Sequence, residues 1–164
     1  MSTAYLLTGG NMGNRFSYLQ EAQNKIAASY GKITAVSAVY ETDAWGVTDQ
    51  PSFYNQALAV ATSLSPDALM EGLLRIEQEM GRTRLRKMGP RIIDLDILLI
   101  DELVRESPLL TLPHPALHLR RFALLPLSEI APDIIHPVLH KSIHQLLEDC
   151  TDTLNVQKKS AGAD

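Results

Sequence analysis

"GPRIIDLDILLI", residues 89–100, reads as a core strand that two aspartates interrupt. Side chains alternate between the two faces of a strand, so Ile93, Leu95, Ile97 and Leu99 are expected on one face and Asp94 and Asp96 on the other. The carboxylates are then neighbours by construction. Two like charges at that spacing raise each other's pKa unless a cation lies between them, and burying even one unpaired carboxylate is expensive. The pair must reach water or hold a metal ion.

The elements around that strand decide the fold class. Upstream, Ser65-Pro66 supplies a cap and a first-turn proline for a helix running to Met80, and Gly81 ends it. "AYLLTG" is a first strand. From Arg15 to Tyr30, Phe16, Leu19, Ala22 and Ile26 fall near one helical face, with Asn14 as the cap and Gly31 as the stop. "KITAVSAVY" and "YNQALAVAT" read as paired strands separated by a Gly/Pro-bearing loop from Glu41 to Ser52. Short helices follow over His118 to Glu129 and Ser142 to Glu148. The order βαββαβ implies a ferredoxin-like α+β sandwich, with helices on one face of an antiparallel sheet.

A chain of 164 residues with 45% hydrophobic content suits one domain. It is expected over residues 1–158, with 159–164 as a disordered tail. The single cysteine, Cys150, cannot close an internal disulfide, and no basic segment followed by an apolar run opens the chain, so a cytoplasmic protein is expected. No apolar run approaches the ~20 residues that a membrane helix needs. A net charge of −4 argues against a general nucleic-acid coat protein.

The chemistry is concentrated near the opening strand. "GRTRLRKMGPR" places Arg82, Arg84, Arg86, Lys87 and Arg91 directly before the aspartates. Such a run is either a solvated interaction patch or, beside a divalent cation, a polyphosphate site. No G-x-x-x-x-G-K-[ST] occurs, and "TGGNMGN" lacks the lysine of a P-loop, so ordinary turn chemistry accounts for it. Helical spacing turns Glu77 into the apolar face of its helix, as a ligand or as half of an internal salt bridge with the arginines beyond Gly81. "LPHPALHLRRF" adds His114, Arg120, Arg121 and Phe122. His136, His140 and His144 are spaced like ligands, but Pro137 breaks the helix and no carboxylate or cysteine completes a set, so they read as turn or surface residues.

Taken in order, "GGNMGNR", "YET", "GVTDQPSFYNQAL", "RIEQEMGRTRLRKMGPRIIDLDILL", "PHPALHLRRFALLPL" and "EIAPDIIHP" resemble 6-hydroxymethyl-7,8-dihydropterin pyrophosphokinase, a folate-biosynthesis family with a ferredoxin-like fold. The resemblance spans the first strand to about residue 137. It implies transfer of pyrophosphate from ATP to the hydroxymethyl oxygen of the reduced pterin, by attack at the β-phosphorus and with release of AMP. On that pattern Asp94 and Asp96 hold two Mg²⁺ ions. Arg82 and Arg91 stabilise the transferring charge, and Arg84, His114, Arg120 and Glu77 serve the ATP side. Asn55 reads the pterin edge, Phe53 and Phe122 sandwich its faces, and the backbone from Thr42 to Trp45 completes the recognition. A monomer acting on ATP and the pterin, with no nucleic-acid or membrane partner, is expected. Two other classes share parts of this pattern. An RNA-binding module of the same fold would show exposed aromatics on central strands, which a 5% aromatic, acidic chain does not favour. A metal-dependent phosphodiesterase would cleave without an acceptor alcohol.

Overall fold

The computed structural model of this chain describes residues 1–43, 51–81 and 91–159. Its sheet is built on β1 (Ser2–Gly10) and β4 (Phe53–Thr62), which pair antiparallel from Ser2↔Thr62 to Gly10↔Tyr54. β5 (Asp94–Ile100) lies antiparallel outside β1, while β2 (Lys32–Val36) and β3 (Val39–Thr42) both pair with β4. Helix α1 (Arg15–Ser29) joins β1 to β2, and α2 (Pro66–Glu79) joins β4 to β5. Helix α1 therefore crosses β4, which lies between β1 and β2, and α2 crosses β1, which lies between β4 and β5, the ferredoxin-like frame expected from the element order.

Local chemistry sets the ends of these elements. The Asn14 side chain accepts from the Ser17 N–H and the Ser65 hydroxyl accepts from Ala68, so both crossover helices begin on side-chain caps. Between β2 and β3, the Ser37 N–H donates to the Ala57 carbonyl, and the Ser37 hydroxyl takes the Ala57 N–H that a backbone carbonyl would otherwise receive. The single expected strand "KITAVSAVY" is therefore two strands, because a serine side chain substitutes for the ladder at one point.

Two cores share the sheet. On one face Leu6, Leu58, Val60, Leu95 and Ile97 pack with Leu19 and Ile26 of α1 and Leu69, Leu73 and Ile76 of α2. On the other, Leu7, Leu98 and Leu99 pack with Leu124 and Leu127 of α3 (Arg121–Ile130) and Ile143 and Leu146 of α4 (Ile143–Asp149). Helices thus cover both faces, not one. The physical reason lies in β1, where "AYLL" is apolar on both faces and a strand of that kind must be buried twice.

A second correction concerns β5. Leu6 pairs with Ile97 but Tyr5 with Leu99, which leaves Leu98 as an extra residue. The bulge turns Leu99 away from Ile93, Leu95 and Ile97 and into the second core. Further along, β6 (Arg105–Glu106) and β7 (Thr111–Leu112) form a small ribbon, and a 3-10 turn covers Leu117–Leu119. β8 (Val156–Lys159) pairs with β3 from Thr42↔Val156 to Val39↔Lys159, so Lys159 belongs to the sheet and not to a tail. Residues 160–164 lie outside the described residues. No helix among the described residues is long and apolar enough to cross a membrane.

Candidate active site

At the end of the sheet where β1 finishes and β4 and β5 begin, cross-strand register brings distant residues into rows. Gly9 pairs with Asn55 on one side and with Asp94 on the other, and Leu7 pairs with Asp96. Alternation places these side chains on the α3 face, so an amide, a glycine gap and a carboxylate stand in line across three strands. The gap is required. A Cβ on Gly9 would lie 2.2 Å from Asn55 Oδ1. Leu7, Asn55, Asp94 and Asp96 line one cleft together with Thr42 and Asp43 at the end of β3, Phe53 at the start of β4, Arg91 before β5, and Arg120 and Phe122 at the start of α3.

Charge in the cleft is arranged in two layers. Arg91 Nη1 lies 3.2 Å from Asp94 Oδ2, and its guanidinium sits 5.4 Å from the centre of the Phe53 ring. The Arg120 guanidinium lies 5.6 Å from the centre of the Phe122 ring. Each of these two rings therefore has an arginine guanidinium near it. Between them Asp96 is pushed up to about 7, first by burial and then by the negative charge of Asp94, with Glu77 adding to the rise and Arg120 and Arg91 opposing it. The expectation that neighbouring carboxylates would raise one another without a cation is met at Asp96.

His114 is fixed beside this cluster. Its backbone N–H donates to the Leu98 carbonyl at 2.9 Å, and its Nδ1 accepts from the Ala116 N–H at 3.1 Å, which leaves Nε2 to carry the proton. Burial and the Arg120 charge lower its pKa to about 4 against the pull of Asp94, so the ring is neutral at pH 7. Glu77 is buried as its helical position predicts, but it does not line the cleft. Its Oε2 accepts the Leu95 N–H at 2.7 Å, which braces the residue between the two aspartates from the opposite face of the sheet. The Thr42 hydroxyl is buried at the cleft and has no hydrogen-bond partner among the described residues.

Arg82, Arg84 and Trp45 lie outside the described residues, as do Arg86 and Lys87. The structure thus brings together Arg91, Asp94, Asp96, Arg120, Phe53, Asn55, Thr42 and Phe122, with His114 close enough for Arg120 and Asp94 to act on it. Among the described residues no group of three or more His, Cys, Asp or Glu could hold a metal by itself. His136 is buried, and its Nδ1 accepts from the N–H groups of Val138 and Leu139, a turn role as expected.

One residue of the site escaped sequence reasoning. Asn11 is 2% exposed. Its Nδ2 donates to the Pro51 carbonyl at 2.9 Å, its Oδ1 accepts the Arg91 N–H at 2.9 Å, and its own N–H donates to the Arg91 carbonyl at 3.0 Å. It ties the Pro51 carbonyl to the backbone that carries Arg91 into the cleft. The available signal was an asparagine directly after Gly9-Gly10 at a strand end, where an amide can serve backbone donors and acceptors at once.

A profile of the family described as "7,8-dihydro-6-hydroxymethylpterin-pyrophosphokinase (HPPK)" matches residues 5–132. A protein of Aquifex aeolicus (strain VF5) named 2-amino-4-hydroxy-6-hydroxymethyldihydropteridine pyrophosphokinase is 41% identical over 151 residues, covering 92% of this chain and 94% of its own length. A protein of the same name from Methylorubrum extorquens is 43% identical over 136 residues, covering 82% of this chain and 86% of its own. Among solved structures, the Plasmodium falciparum HPPK-DHPS chain with SDX-DHP superposes with a TM-score of 0.72 at 18% identity over 91% of this chain and 43% of that one. This chain thus spans under half of that structure, and at such identity the likeness concerns the fold alone.

Proposed function

The chain belongs to the 7,8-dihydro-6-hydroxymethylpterin-pyrophosphokinase family, and from that premise we propose how its cleft divides the work of the reaction. It transfers pyrophosphate from ATP to the hydroxymethyl group of 6-hydroxymethyl-7,8-dihydropterin, a step of folate biosynthesis, and releases AMP. The observation that supports the assignment of roles is the row Asn55–Gly9–Asp94, an amide and a carboxylate on either side of a glycine gap.

On this reading the pterin lies between Phe53 and Phe122. The Asn55 amide pairs with its edge of donors and acceptors, and the Thr42 hydroxyl, which has no partner among the described residues, takes a further ring atom. The backbone near Trp45 completes the contact. The acceptor hydroxymethyl group then projects over Gly9 towards Asp94. Arg91 and Arg120 flank the phosphates, and Arg82 and Arg84 add to them from outside the described residues. Charge that gathers on the transferring group meets guanidinium groups already held in place, so little reorganisation is needed. Neutral His114 offers an Nε2–H donor to the nucleotide without adding a buried charge. Glu77 acts from behind, through Leu95.

Asp94 and Asp96 fit Mg²⁺. Magnesium is commonly held by one or two carboxylates with substrate phosphates and water completing its shell, and the raised Asp96 shows a carboxylate pair short of positive charge. When bound, Mg²⁺ supplies neutralisation of the phosphate oxygens and of the acceptor oxygen as it loses its proton. Two ions is the number that the resemblance implies. We extend the reading to a cytoplasmic monomer with small-molecule substrates and no nucleic-acid or membrane partner; a net charge of −4 supports the nucleic-acid part.

The test is a product analysis with ATP, Mg²⁺ and the reduced hydroxymethylpterin. AMP formed only when the pterin is present is the expected result. ADP formation, or AMP and pyrophosphate released without pterin, would overturn the assignment.

A further inference from the structure

Directly behind the proposed pterin wall, on the α1 face of the sheet, one carboxylate joins three separate elements. Glu41 in β3 is the cross-strand partner of Tyr54 in β4. Its Oε2 accepts from the Ser52 hydroxyl at 2.7 Å and lies 3.6 Å from Arg15 Nη1 at the start of α1, while its Oε1 lies 3.4 Å from Lys159 Nζ in β8. Arg15 closes the triangle. It donates to the Ser52 carbonyl at 3.1 Å and to the Ser52 hydroxyl at 3.0 Å, and its guanidinium stacks 3.8 Å from the centre of the Tyr54 ring.

The neighbours in sequence point the other way. Thr42 and Asp43 follow Glu41, Phe53 follows Ser52, and all three line the cleft. Residues 44–50 connect Asp43 to Pro51, so the network pins the backbone on both sides of that connection while touching neither proposed substrate. The Arg15 and Glu41 side chains are 20% and 29% exposed, so the network is mostly buried and holds a fixed geometry. Ser52 and Glu41 keep the end of β3 and the start of β4 in register where Thr42 and Phe53 must face one flat ring.

We propose that Glu41 is a positioning residue for the pterin, acting through Ser52 and Arg15 to fix the wall formed by Thr42, Asp43 and Phe53. Asp94 and Asp96 stand on β5 and Arg120 directly precedes α3, apart from β3 and Ser52, and only Arg91 reaches the wall, over the Phe53 ring and through Asn11 to the Pro51 carbonyl. Loss of Glu41 therefore separates the two substrates. The inference rests on the pterin reading of the cleft given above.

The experiment measures binding of the pterin in the presence of Mg²⁺ and a non-reactive ATP analogue, and binding of the analogue alone, for wild type, Glu41→Ala, Glu41→Gln and Ser52→Ala. Glu41→Ala is expected to weaken the pterin by at least about tenfold, in line with the cost of small misplacements in a site, while analogue affinity stays within about twofold of wild type. Glu41→Gln should recover most of the loss, since its amide oxygen still accepts from Ser52. Ser52→Ala should reproduce the loss and add nothing to Glu41→Ala. If Glu41→Ala fails to fold, Glu41→Gln and Ser52→Ala decide the matter by the same comparison. Equal weakening of both ligands, or a lowered melting temperature with unchanged pterin affinity, overturns the proposal and leaves the network purely structural. Wild type that does not bind the pterin would remove the cleft reading itself. Wild type that binds it, with Glu41→Ala matching, removes only the role of Glu41.

Discussion

Asp94 and Asp96 share one face of one strand, yet their surroundings differ. Asp94 has Arg91 at 3.2 Å, whereas Asp96 is pushed up to about 7 by burial and by Asp94 itself. Both should be needed, because either neutral amide removes half of the negative charge that draws Mg²⁺ to the site. Asp94→Asn and Asp96→Asn are each expected to lower turnover by about 10²-fold or more, about 2.7 kcal/mol of transition-state stabilisation, with the circular dichroism of the wild type. Full turnover of either variant at modest Mg²⁺ would disprove the metal assignment. Gly9→Ala tests Asn55, at the other end of the row. Its Cβ would meet Asn55 Oδ1 at 2.2 Å and displace the amide, so the KM for the pterin should rise about tenfold or more while that for ATP changes little. An unchanged pterin KM would mean that Asn55 does not read the ring. The carboxylates were legible in sequence because charges inside an apolar strand contradict its burial and demand an explanation. Phe53 and Phe122 were legible only through the family resemblance, since a phenylalanine is ordinarily core. Asn11 was legible only as an asparagine at a strand end: its partners are backbone atoms of Pro51 and Arg91, which no spacing rule connects to it.

At the scale of elements, the strand carrying both aspartates depends on the helix before it. Helical periodicity places Glu77 among Leu69, Leu73 and Ile76, and the structure agrees. Its partner was not deducible. The sequence pointed to the arginines beyond Gly81, of which Arg82, Arg84 and Arg86 lie outside the described residues; among the described ones Glu77 Oε2 takes the Leu95 N–H of β5 at 2.7 Å. Glu77→Ala leaves that buried N–H without this acceptor and should cost about 1–3 kcal/mol in urea unfolding, with Glu77→Gln costing less because its amide oxygen can still accept. Turnover of Glu77→Ala should fall as well, since the residue between the two aspartates loses its brace. Equal stability of Glu77→Ala and Glu77→Gln would show that the hydrogen bond is not what Glu77 contributes. The same strand shows where pattern reading stops. Leu98 and Leu99 are both apolar, so alternation cannot reveal the bulge that moves Leu99 to the second core. The second helical layer is present in the sequence as two short helices and a doubly apolar β1, but antiparallel sheets so often pack on one face alone that the element order by itself points to the simpler arrangement.

For the whole molecule, the cleft sets the way stability responds to pH, and two groups pull in opposite directions. Asp96, raised from an ordinary 3.8 to about 7, binds a proton in the folded state that the unfolded chain has already released, so its contribution is lost as pH rises through 7. His114, lowered from 6.5 to about 4, stays neutral in the folded state while the unfolded chain takes a proton, so its contribution is lost as pH falls from 6.5 towards 4. Between those limits the proton counts offset each other. Buried His136, also lowered, adds to the His114 side, whereas the depressed Glu41 and Asp149 act only below the ordinary carboxylate range. The metal-free wild type should therefore lose stability only gently as pH falls from about 6.5 to 5, because Asp96 offsets one of the two histidines. Asp96→Asn removes one arm of the balance. Its stability should fall with decreasing pH more steeply than that of the wild type, by up to about 1.4 kcal/mol per pH unit, and exceed the wild type by most near pH 7.5. Urea unfolding of both proteins at pH 5, 6, 7 and 7.5 in a chelating buffer reads this directly, and parallel curves would refute it. Magnesium then supplies the converse. Added at pH 7.5, it should raise the unfolding midpoint of the wild type by binding the folded state alone, and raise that of Asp96→Asn much less. An equal rise in both proteins would place the stabilising ion somewhere other than the aspartate pair.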